Sequence, residues 1–202
     1  MPTGAAIALA LAAAYLVGSI DFAVIVARMY GVDIRTEGSG NPGASNVLRT
    51  VGRFPAALVF ILDMLKGFIG AAMATIAAGD TSAVVTSWAF AGGLAAVVGH
   101  CYPAFHKFKG GKGVATSAGV LLWGAPLVAL IDFTVWFLVV YLTKTASIGS
   151  IVALIITVPL LIWQGVTGLG LLWCVLMLLL VLWRHRGNIG RMIRGSEEKV
   201  ST

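Results

Sequence analysis

A chain of 202 residues that is 59% hydrophobic and only 11% charged, with a mean hydropathy of +0.96, is not an ordinary soluble domain, where about a quarter of the residues carry charge. Its net charge of +6 clusters beside apolar runs, which marks a membrane face and argues against nucleic acid as a partner. The two cysteines, Cys101 in a loop and Cys174 inside an apolar run, predict neither a disulfide nor a metal site.

Apolar segments cover roughly 4–27, 54–78, 83–99, 114–124, 126–143, 148–163 and 169–183. The first lacks the basic flank and short apolar core of a signal peptide, so it reads as a retained transmembrane helix. A straight span takes about 20 residues. The first two segments qualify, and 83–99 is somewhat short. The segment 114–124 amounts to about 16 Å of helix, and spans only if it begins in the preceding loop or if the site dips into the membrane.

With turns at Gly124-Ala125-Pro126 and at Gln164 to Gly168, seven transmembrane segments result. If 114–143 and 148–183 are instead two long tilted helices, there are five. Both counts put the N-terminus outside and the C-terminus in the cytoplasm. Seven leaves no basic residue in an outer loop, whereas five puts Lys144 outside, so the positive-inside rule favours seven. The expected fold is an all-α polytopic membrane protein, with residues 1–202 forming a single integral membrane domain.

Four polar stretches interrupt the apolar pattern. In "GSGNPGASNVLRTVGR", 38–53, a helical wheel over 44–53 puts Asn46, Arg49, Thr50 and Arg53 on one face and Val47, Leu48 and Val51 on the other. That pattern predicts a short amphipathic helix at the interface. Ser39 and Asn41 precede it in turn chemistry with spare donors.

The second stretch, "KFKGGKGVAT", 107–116, joins Lys107 and Lys112 to Gly110, Gly111 and Gly113. Glycines let backbone N–H groups approach a phosphate closely, and a following helix offers free N-terminal donors. A nucleotide P-loop is excluded, because His106 stands where its first glycine belongs and Gly113 where Ser or Thr belongs. A basic loop touching lipid headgroups remains the alternative.

In "TASIGS", 145–150, Ser147 and Ser150 either cap a helix or bind phosphate. In "HRGNIGRMIRGSE", 185–197, a continuing helix would put His185 and Asn188 on one face and Arg184, Arg191 and Arg194 on another, facing anionic headgroups. Within the spans, Asp63 and Lys66 stand one turn apart, as a structural pair or a substrate contact, and Asp132 reads as interfacial near a segment end. One polar pocket on one membrane face is expected, with donors for a phosphate-bearing small molecule and walls for an acyl chain. A transporter of a small phosphorylated metabolite is the rival, but no internal symmetry supports it.

Taken together, "GSGNPGASNVLR", "GHCYPAFHKFKGGKGVAT", "TASIGS" and "HRGNIGRMIRGSE" resemble the bacterial acyl-phosphate:glycerol 3-phosphate acyltransferase family (PlsY). The resemblance runs from the first helix to Glu197. It implies seven helices in the bacterial inner membrane and an active site on the cytoplasmic side. It also implies transfer of an acyl group from acyl phosphate to the 1-hydroxyl of sn-glycerol 3-phosphate, with membrane lipid as the surroundings and no cofactor. Carried over residue by residue, it points to Ser39, Asn41, Asn46 and Arg49, to Lys107, Gly110, Gly111, Lys112 and Gly113, to Ser147 and Ser150, and to His185 and Asn188, with Glu197 in a structural role.

Asp21 departs from the proline expected after "GSI", and its role stays open, as an inhabitant of a polar cavity or the partner of a basic residue. The H-x₄-D pairing of acyl-CoA-dependent enzymes is missing, since Phe105 and Gly111 stand five residues after His100 and His106. The oligomeric state is not legible in the sequence.

Overall fold

Apolar sequence in lipid must satisfy its own backbone, and a helix does so within one segment. The computed structural model describes residues 4–80 and 87–200 and contains no strand among them. The start of the predicted third segment, at 83–86, lies outside the described residues. The helices are α1 (Gly4–Gly18), α2 (Phe22–Met29), α3 (Ala44–Thr50), α4 (Arg53–Ala77), α5 (Ser87–Cys101), α6 (Val114–Gly124), α7 (Pro126–Thr143), α8 (Ala146–Trp163), α9 (Gly168–Arg184) and α10 (Arg186–Ile193).

The helices stop where polar and glycine chemistry stops them. The first apolar run breaks after Gly18, and Asp21 restarts it by accepting a hydrogen bond from Val24 N at 3.3 Å. Asp21 also pairs with Arg35 at 2.7 Å, so its partner is a basic residue. The predicted helix over 44–53 ends early, at Thr50. Gly52 adopts φ +135°, open to glycine and strained for other residues, and Arg53 opens α4 instead. The two predicted turns separate α6 from α7 and α8 from α9.

Among the described residues, four helical stretches are long and apolar enough to cross a bilayer: Gly4–Met29, Arg53–Ala77, Pro126–Thr143 and Ala146–Trp163. A fifth arises if α9 and α10, bent by 50° to each other, form one span. The short α6 packs along α4, close enough that a Cβ on Gly67 would overlap the Thr116 carbonyl and one on Gly119 the Met64 carbonyl. Small residues at such crossings let membrane helices reach van der Waals contact where no hydrophobic effect drives them together.

Two buried clusters fix the arrangement. Phe90, Val97, Val120, Leu161, Met177 and Val181 join α5, α6, α8 and α9. Val24, Ala27, Ile34, Val47 and Val59 seat α2 and α3 on α4. Cys101 is the last residue of α5 rather than a loop residue, and it shares the larger cluster with Cys174 as a buried free thiol. Asp132 has a partner on the neighbouring helix. It is buried between α7 and α8, where Thr157 Oγ1 hydrogen-bonds Asp132 Oδ2 at 2.6 Å.

Candidate active site

The loop before α3 is built around one amide. Asn46 is 1% exposed. Its Oδ1 accepts from Ser39 N at 3.0 Å, and its Nδ2 donates to the carbonyls of Ile34 at 3.1 Å and Glu37 at 3.0 Å. Asn46 therefore shapes the loop, with its polar atoms already engaged. This arrangement brings Ser39 to the side chain one turn further on, and Arg49 donates to Ser39 Oγ at 3.3 Å. Arg49 also pairs with Glu198 at 2.8 Å, yet its Nε is buried without a hydrogen-bond partner among the described residues. An unpaired buried N–H is costly, so the guanidinium has capacity for a further acceptor.

The glycine loop is arranged differently from the sequence expectation. Gly110 N donates to Cys101 O at 3.2 Å and Gly111 N to His100 O at 3.1 Å. Arg184 closes the same loop by donating to Gly111 O at 3.0 Å and Gly110 O at 2.6 Å. These amides are occupied, and Gly110 and Gly111 do not line the cavity. Their small size serves packing: a Cβ on Gly111 would overlap the His100 ring and crowd the Pro42 carbonyl. Lys107 is exposed, at φ +53°, and does not line the cavity.

The loop delivers Lys112 and Gly113 instead. Burial first, and then the nearby charges of Arg191 and Arg49, bring the Lys112 ammonium down to about 8, against the pull of Glu197 and Glu198. Among the described residues that ammonium makes no ion pair.

The C-terminal region closes the ring around Glu197. Its Oε1 accepts from Ser147 Oγ at 2.6 Å and from Asn188 Nδ2, and its Oε2 accepts from Arg191 Nε at 2.8 Å. Burial would raise its carboxyl, but these three donors hold it below the usual range. His185 sits at the bend between α9 and α10, where its Nδ1 lies 2.8 Å from Val181 O. A carbonyl only accepts, so Nδ1 carries the hydrogen and Nε2 of the neutral ring is the free acceptor. Ser150 Oγ caps back onto Ala146 O at 2.9 Å and accepts from Trp136 Nε1 at 3.2 Å, which fixes that indole on the wall.

These groups face one cavity of about 620 Å³. Ser39, Asn41, Asn46, Arg49, Lys112, Gly113, Ser147, Ser150, His185 and Asn188 all line it. Its other wall is apolar, made by Phe60 and Ile61 of α4 and by Trp136, Phe137 and Tyr141 of α7. Its floor reaches the buried Asp63–Lys66 pair at 2.7 Å, with His100 Nδ1 at 3.6 Å from Asp63. Lys66 also donates to Ile20 O at 2.9 Å, so the pair ties α4 to the break between α1 and α2. Sequence reasoning missed Glu198 and His100 as lining residues. Nothing in the tail's composition marks Glu198, whereas His100 lies within the stretch "GHCYPAFHKFKGGKGVAT".

Comparison with known proteins gives the relatives of this chain. The family model described as glycerol-3-phosphate acyltransferase matches residues 8–195. The glycerol-3-phosphate acyltransferase of Aquifex aeolicus (strain VF5) is 44% identical over 186 residues, covering 92% of this chain and 95% of the relative. The crystal structure of PlsY in its glycerol 3-phosphate form, described as an integral membrane glycerol 3-phosphate acyltransferase, superposes with a TM-score of 0.90 at 41% identity, over 97% of this chain and 96% of that one. The lysophosphatidic acid form gives 0.87 at 40% identity, over 96% and 94%.

Proposed function

The chain belongs to the glycerol-3-phosphate acyltransferase family, and from that premise we propose that it transfers an acyl group from acyl phosphate to the 1-hydroxyl of sn-glycerol 3-phosphate. The products are lysophosphatidic acid and inorganic phosphate. One observation carries this assignment: a single cavity joins the cations Arg49 and Lys112 to an apolar wall from α4 and α7. Two phosphates and one acyl chain match that division.

Acyl phosphate is an activated mixed anhydride, so no acyl-enzyme is required. The glycerol oxygen attacks the carbonyl carbon, the bond from that carbon to the bridging oxygen breaks, and phosphate departs with the electron pair. Arg49 holds the donor phosphate and offsets the charge that grows on it, with Ser39 fixing the guanidinium. Lys112 holds the phosphate of glycerol 3-phosphate. Glu197 orients Ser147 and Asn188 toward the same space. The hydroxyl proton passes to an oxygen of the departing phosphate, with His185 Nε2 as the protein acceptor to test against it. Catalysis then rests on placement and preorganised charge.

In this reading the seven apolar segments cross the bacterial inner membrane, with the N-terminus outside and the cavity open to the cytoplasm. The experiment is turnover by purified protein. Acyl phosphate and labelled glycerol 3-phosphate should yield lysophosphatidic acid and phosphate in equal amounts, with acyl-CoA giving none. Product from acyl-CoA alone would overturn the donor assignment.

A further inference from the structure

The C-terminal segment after α10 lines the cavity with Glu197, Glu198 and Val200. Glu197 anchors it through Ser147, Asn188 and Arg191. Val200 N, donating to Lys144 O at 2.7 Å, anchors it again on the turn between α7 and α8. Between these two fixed points Glu198 extends to Arg49, with Oε2 at 2.8 Å from the guanidinium. The contact uses one guanidinium nitrogen while Nε has no partner among the described residues. It is therefore a half-used fork rather than the bidentate pair that arginine and a carboxylate form at their strongest. The Glu198 side chain is 39% exposed, against 9% for Glu197, so it can leave for water while the backbone on either side stays tied.

We propose that Glu198 is a built-in exchangeable anion: it occupies Arg49 when the phosphate site is empty and gives way when phosphate arrives. Arg49 is then never an unpaired cation at a membrane face. A phosphate must displace a tethered carboxylate to bind, and the carboxylate returns when phosphate leaves. Removing this competitor strengthens every phosphate ligand of Arg49 by one common factor, because the competing equilibrium is the same for each. The inference rests on the reading of Arg49 as the donor-phosphate ligand.

The test uses full-length protein in detergent with four chains: the parent, Glu198→Gln, Glu198→Asp and Arg49→Ala. Two quantities are read, the KM for acyl phosphate and the inhibition constant of inorganic phosphate against it. Glu198→Gln should lower both by the same factor, about 1.5- to fivefold, the range spanned by half-exposed ion pairs. Glu198→Asp keeps the charge and should stay nearer the parent than Glu198→Gln. An inhibition constant unchanged or raised in Glu198→Gln overturns the exchange, since a purely structural glutamate would not tighten phosphate on removal. Arg49→Ala separates the two layers. If it weakens phosphate while Glu198→Gln does nothing, only the exchange fails. If phosphate inhibition survives Arg49→Ala unchanged, the assignment of Arg49 fails with it.

Discussion

Lys112 gives the account a pH signature. Its ammonium is lowered to about 8 by burial and by neighbouring cations. The sign follows directly: Lys112 is charged below that value and neutral above it. Glycerol 3-phosphate completes its own second ionisation about two units lower, so the substrate contributes no change in the same window. Between pH 7 and pH 9 the charged fraction of Lys112 falls about tenfold, and the KM for glycerol 3-phosphate should rise by about that factor. The rise has a ceiling of roughly 10- to 150-fold, set by a charge-assisted hydrogen bond of about 1.5–3 kcal/mol. Lys112→Ala should show the raised KM at every pH and no slope. Lys112→Arg should also flatten the profile, because a guanidinium stays charged throughout. The assay is initial rate against glycerol 3-phosphate at saturating acyl phosphate, buffered from pH 6.5 to 9.5. A flat profile in the parent, or a rise that survives Lys112→Ala, would refute the assignment.

Asp63→Asn leaves Lys66, 2% exposed, without its buried counter-charge and should cost about 3–5 kcal/mol of stability, seen as a lower Tm in detergent. A shift of under a degree would mean the pair is dispensable. Arg49→Lys keeps the charge but loses the planar fork, and should lower kcat/KM for acyl phosphate by at least tenfold, the cost of about one charge-assisted bond. A variant within twofold of the parent would show that charge alone suffices. A cysteine at Lys144 should be labelled by a membrane-impermeant thiol reagent only after the inner face is opened. Labelling of intact cells would favour five segments and move Ser147 and Ser150 to the outer side.

Much of the candidate site's geometry was legible because its chemistry is local in sequence. Arg49 and Ser39 lie within one motif, and the turn from Asn46 to Arg49 on α3 follows from helical spacing. Asp63 and Lys66 show their pairing in their i,i+3 offset. In the glycine loop, glycine announces a close approach without naming what approaches. Here the partners of Gly110 and Gly111 are the Cys101 and His100 carbonyls, reached by the chain folding back on itself. The place of Asp132 in its segment does not name its partner, Thr157, which lies on the neighbouring helix. The contact of Glu198 with Arg49 spans most of the chain, so no local pattern could have announced it.

Direct transfer from acyl phosphate, as proposed above, requires that no acyl group becomes attached to the protein. The most direct measurement is intact-protein mass spectrometry after incubation with acyl phosphate alone, followed by addition of glycerol 3-phosphate and analysis of products. Direct transfer leaves the protein unmodified in the first step, and gives lysophosphatidic acid with one equivalent of phosphate in the second. A stoichiometric acyl adduct on Ser39 or Cys101 that glycerol 3-phosphate discharges would contradict it and make that residue a nucleophile.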